Sequence, residues 1–157
     1  MKLLMLLVAV LLVSGCQTSR SNDPDSIWFK VPPDSRLVLN QPLEIPAERA
    51  HLMLQHGTAA TAAGEYDVAC RFEVENLGPR TIQPEAFVIH SMSSGREWVN
   101  QPYNMRFYKV IRLQSATLTD IMPMKCGYTD DPRMGRPVTV IQIQEALGNI
   151  LTFEFSQ

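Results

Sequence analysis

After residue 13 the chain has no apolar run near the roughly 20 residues that a membrane-spanning helix needs. Clusters of Lys and Arg are missing too, and 14 basic residues stand against 16 acidic ones. Without a basic stripe, nucleic acid is excluded as a partner class. Local catalytic signatures are equally scarce. H-E-x-x-H, G-x-S-x-G and C-x-x-C do not occur, so no zinc-protease helix, serine elbow or redox dithiol can be assembled from neighbouring residues. Asp130-Asp131 lacks the D-x-D-x-D-G spacing of a calcium loop and reads as a solvated turn. His51, His56 and His90 come singly, without the i, i+2 or i, i+4 partners that mark a ligand set. No metal, no cofactor and no enzymatic activity are expected from these patterns.

What is present begins at the first residue. Met1-Lys2 is a short positive start, and Leu3 to Val13 is an unbroken apolar run without charge, Pro or Gly. As a helix, eleven residues reach about 16 Å, roughly half of a bilayer core. That length suits an export signal and not a span. Ser14 and Gly15 then lead into Cys16. The stretch Leu12-Val13-Ser14-Gly15-Cys16 resembles the lipobox of bacterial lipoproteins. The resemblance implies cleavage before Cys16, a diacylglycerol on its thiol and acylation of its new amino group. Several acyl chains, each methylene worth about 0.8 kcal/mol when buried, make a stable anchor. Gln17 stands where an Asp would favour inner-membrane retention, so the resemblance implies the periplasmic face of the outer membrane.

With residues 1–15 read as signal and 16–26 as lipidated Cys plus flexible tether, residues 27–157 are left as a single periplasmic domain. The tether segment QTSRSNDPDS has no large apolar side chain to bury. Cys70 and Cys126 remain as an even pair in an oxidising compartment, and a disulfide is expected between them.

The domain reads as strands. Leu37 to Leu39, Leu43 to Ile45 and Ala50 to Gln55 are short extended pieces closed by Pro, Asn or Gly. Glu65 to Asn76 gives the clearest period of two, with Tyr66, Val68, Cys70, Phe72 and Val74 on one face. Further strands are expected at Thr81-Ile82, Phe87 to Met92, Met105 to Leu118, with a bulge or break near Gln114-Ser115, and Ile121 to Cys126. Thr58 to Gly64 reads as a long hairpin loop, and Tyr128 to Pro137 as an exposed one. Val138 to Gln144 and Ile150 to Phe155 read as a C-terminal hairpin around Glu145 to Asn149. About eight short strands, 11 Pro and 8 Gly predict an all-β antiparallel sandwich or small barrel. An immunoglobulin domain does not fit, because Trp98 comes too late after Cys70 and Met124 stands where that fold places a Tyr.

Between Ser94 and Arg106 the chain gathers Arg96, Trp98, Tyr103 and Arg106, residue types that dominate binding hot spots. This turn-rich segment is the candidate interaction loop. The sequence therefore points to a non-enzymatic lipoprotein that binds an envelope protein or peptidoglycan, or supports the envelope structurally. A small-ligand or enzyme-inhibitor domain is the second reading, and a hydrolase the third.

Overall fold

The computed structural model describes residues 21–156. The all-β expectation holds: ten strands and one short helix surround a single apolar cluster among the described residues. Eight strands form one curled antiparallel sheet, in the order β10-β1-β7-β8-β9-β5-β3-β4, that closes about half of a barrel. In chain order these are β1 Arg36–Leu39, β3 His51–Gln55, β4 Thr58–Ala60, β5 Ala69–Glu73, β7 Ala86–Asn100, β8 Asn104–Gln114, β9 Met124–Asp130 and β10 Leu151–Glu154. β2 Leu43–Ile45 and β6 Arg80–Ile82 pair as a separate two-stranded sheet.

Alternation decides which side of each strand is dry. In β8, Met105, Phe107, Lys109 and Ile111 are buried while Arg106, Tyr108 and Val110 are only half-buried. Leu52 and Leu54 of β3 and Cys70 and Phe72 of β5 lie on the same inner side. Phe72 meets Phe87 of β7 with ring centroids 5.9 Å apart. Leu43, Ile45 and Ile82 join this core from the small sheet. Cys70 and Cys126 are direct register partners on β5 and β9, and they form the expected disulfide. The bridge closes one sheet across neighbouring strands. Tyr66, assigned to the inner face by alternation, is instead exposed, because β5 begins only at Ala69.

Five expectations are corrected. The C-terminal hairpin is replaced by a helix, α1 Val140–Leu147, followed by β10. Thr139 caps it: its hydroxyl accepts from Gln142 N at 3.3 Å, and Thr139 N donates to Gln142 Oε1 at 2.9 Å. This reciprocal box satisfies two N–H groups at the helix start, and Val140, Ile143, Ala146 and Leu147 supply a buried stripe. Gln144 then holds β10, donating to Leu151 O at 3.0 Å and accepting from Phe153 N at 2.9 Å.

The loop expected at Thr58 to Gly64 begins instead as β4. His56 and Gly57 both have positive φ, 51° and 70°, the pattern of a tight two-residue hairpin turn. Gly57 N donates to Ala146 O at 3.0 Å, and a Cβ on Gly148 would run into Gly57, so two glycines let this turn seat on the end of α1. The strand expected to stop at Met92 runs on to Asn100, making β7 fifteen residues long. Correspondingly β9 extends through Tyr128 to Asp130, and only the rest of the expected 128–137 loop is irregular.

The last part of the expected tether is folded back. Pro24 O accepts from Val140 N at 3.2 Å, and Ser21 forms a bridge with Phe29. Residues 27–33 then run toward Ser35, whose carbonyl accepts from Ile89 N at 2.9 Å.

Candidate functional site

The arrangement of the site follows from unequal strand lengths. β1 pairs with β7 only from Ala86 to Val88, whereas β8 pairs with β7 from Val88 to Asn100. Beyond Val88, β7 is therefore an edge with no strand on its outer side among the described residues. Its register slips at His90 and again at Val99, each an extra residue that twists and blunts such an edge.

Ser94 to Arg106, expected as a loop, is thus the outer end of the β7–β8 hairpin, turning at Gln101 to Tyr103. Its residues divide between two faces. Arg96 lies opposite Phe107 and Trp98 opposite Met105, toward the inner side. Arg106 lies opposite Glu97 on the outer side, with Nη1 3.6 Å from Glu97 Oε1. Tyr103 sits in the turn. Trp98 is 46% exposed and Tyr103 69%, so neither ring covers the core. The structure separates Arg106 from Arg96 and Trp98; the four do not form one cluster.

On the outer face the charges are compensated. Lys125 Nζ lies 2.9 Å from Glu97 Oε1 and 3.9 Å from the centre of the Tyr108 ring. Tyr108 lies against Gly95, where a Cβ would come within 2.6 Å of the ring. Arg71 Nη2 donates to Glu73 Oε1 at 2.7 Å and stands 3.3 Å from His51 Nδ1. Burial, then the Arg71 charge, holds the His51 pKa below its usual value. The partner of His51 is thus a guanidinium and not the buried carboxylate that a general base uses. His56 faces Asp67 at 3.5 Å on open surface. Asp131 is held down to about 2 by hydrogen bonds from Arg133, as part of a turn. Among the described residues no group of three His, Cys, Asp or Glu is placed to hold a metal.

The inner face holds what alternation and motif spacing do not reveal. Between residues 27–33 and the β7–β8 hairpin lies a cavity of about 620 Å³. Ile27, Trp28 and Val31 form one wall, Ile89 and Met92 the other. Its polar groups are His90, Ser91, Ser94, Lys30 and Lys109. Lys109 is only 4% exposed, and its Nζ donates to Ser94 Oγ at 2.9 Å. Burial lowers its pKa from 10.5. A hydroxyl bonded to an amine is also the first half of a nucleophile and base pair, but among the described residues no third group orients the amine. One signal for this site does lie in the chain: Lys109 occupies the apolar phase of the Met105, Phe107, Ile111 alternation.

Cys16, the expected lipidation site, lies outside the described residues, as do residues 1–15. No helix of the described residues is long and apolar enough to cross a membrane. Comparison with protein-family models, with curated proteins and with solved structures finds no match to this chain.

Proposed function

We propose that this protein is a bacterial lipoprotein, anchored through Cys16 to the periplasmic face of the outer membrane, whose β domain is a non-enzymatic binding or accessory module for another envelope component. The observation that carries this reading is the outer end of the β7–β8 hairpin, where Trp98, Val99 and Tyr103 are exposed beside a strand edge that is unpaired among the described residues. Aromatic side chains on a rigid strand bring large contact area at little entropic cost, and an open edge adds backbone donors and acceptors for an envelope protein or a peptidoglycan peptide.

The test is crosslinking in intact cells from a photoreactive residue at Trp98, with Met134, exposed elsewhere on the molecule, as the control position. A discrete envelope adduct from position 98, absent from 134 and lost when Cys16→Ser releases the protein from the membrane, is the expected result. Equal capture at both positions, or membrane retention unchanged by Cys16→Ser, overturns the reading.

A second reading, a small-ligand domain, is favoured by the cavity beside residues 27–33. Its volume lies within the roughly 300–1,000 Å³ of small-molecule sites, and its walls are apolar with a few convergent polar groups.

A further inference from the structure

We propose that the cavity between residues 27–33 and the β7–β8 hairpin binds a single-chain carboxylate, with its head held by Lys109 and Ser94 and its tail between Ile27, Val31, Ile89 and Met92. This rests on the small-ligand reading above and names the class of ligand.

The argument begins with hydrogen-bond accounting. An ammonium has three donors. Among the described residues Lys109 uses one, to a neutral hydroxyl, while the residue is only 4% exposed. A desolvated charge held by one neutral partner is costly unless an opposite charge joins it. Among the described residues, no Asp or Glu lines the cavity; its other ionisable groups, Lys30 and His90, are also bases. The missing partner is therefore an anion. Ser94 Oγ accepts from Lys109, which leaves its own O–H free to donate to that anion.

The size of the head follows from the same inventory. At the buried end of the cavity one lysine and one hydroxyl match a single negative charge on a small group, whereas Lys30 lies at its exposed side. A phosphate dianion is best matched by the forked donors of Arg, and among the described residues no Arg lines this cavity. Beyond the head the lining is mostly hydrocarbon, with His90, Ser91 and Lys30 as its other polar groups, and Met92, unbranched and polarizable, adapts to a flexible chain. Charge at one place and apolar surface elsewhere describe an aliphatic monocarboxylate.

The experiment is calorimetric titration of the full chain carrying Cys16→Ser, which removes the competing anchor, with decanoate and with decanol. Decanoate should bind roughly tenfold or more tighter than decanol, the worth of a charged hydrogen bond. Lys109→Met should lose that preference while still taking up decanol. Nitrogen NMR of the Lys109 amine gives a measurement that needs no variant: decanoate should shift this resonance and decanol should not. Equal binding of the two probes, or undiminished decanoate binding by Lys109→Met, overturns the carboxylate assignment and leaves the cavity a ligand site. Binding of neither probe overturns both.

Discussion

Lys125 on β9 faces the outer side of the sheet, with Glu97 Oε1 at 2.9 Å and the Tyr108 ring beneath its ammonium. Lys109, on the neighbouring strand β8, faces inward, and among the described residues its ammonium has only Ser94 Oγ as a hydrogen-bond partner. The two lysines stand one register step apart, since Lys109 pairs with Cys126 and Val110 with Lys125. A one-residue change of phase is what separates them. On the outer side water and Glu97 share the charge, so the lysine is at home. On the inner side the same side chain is a stored cost, which a carboxylate in the proposed site would offset. A charged residue in the dry phase of a strand is thus more informative than any number of charges in the wet phase.

The comparison can be broken most severely from behind. Cys70–Cys126 ties β5 to β9 just beyond both lysines, closing a sequence separation of 56 residues. In the chain-entropy account such a loop is worth about 4 kcal/mol. The Cys70→Ser, Cys126→Ser double variant should lose on that order in urea unfolding, and reductant should have no further effect on it. A midpoint like that of the parent would mean that the staple contributes nothing to this sheet.

Replacing the inner lysine should have the opposite sign. Lys109→Met removes a buried charge and keeps the length of the side chain, so the ligand-free domain should gain on the order of 1–2 kcal/mol. The pH dependence sharpens this. Because burial lowers the folded pKa of Lys109 below 10.5, the unfolded chain holds this proton more tightly than the folded domain. The cost is therefore full below the lowered folded value, and stability rises with pH from there up to 10.5. The other ionisable groups around the cavity among the described residues are Lys30 and His90. This alkaline gain should vanish in Lys109→Met and persist in Lys125→Met; its persistence in both would refute the assignment to Lys109. The smallest effect belongs to the outer face. Glu97→Gln leaves two exposed cations, Lys125 and Arg106, with a neutral partner. It should cost about 0.5 kcal/mol at low salt and nothing measurable at high salt.

Much of this sheet is legible in the order of the residues. The alternation of Leu52 with Leu54 and of Cys70 with Phe72 and Val74 survives folding because one face of each strand is dry. The helix is not legible from hydrophobic content, since Val138, Val140, Ile141 and Ile143 are β-branched and look like a strand. Its signals lie in a different register: Thr139 three residues before Gln142, and Gly148 just past the end. Ser93, Ser94 and Gly95 disguise the outer half of β7 as a turn, and pairing with β8 overrides their weak strand preference. Gly95 is in that strand because the Tyr108 ring occupies the space a side chain would need.

The class of fold and the pairing of the two cysteines follow from the chain's own residues. They rest on period-two patterning and composition, which are local properties. Tertiary structure alone sets residues 27–33 against β7, where they wall off a cavity over Lys109. It also brings Lys125 of β9 to Glu97 of β7 on the outside while Trp98 stays exposed. Such juxtapositions depend on strand order and register between distant segments. Those are set by the packing of the whole core and leave no periodic trace in the residues that they bring together.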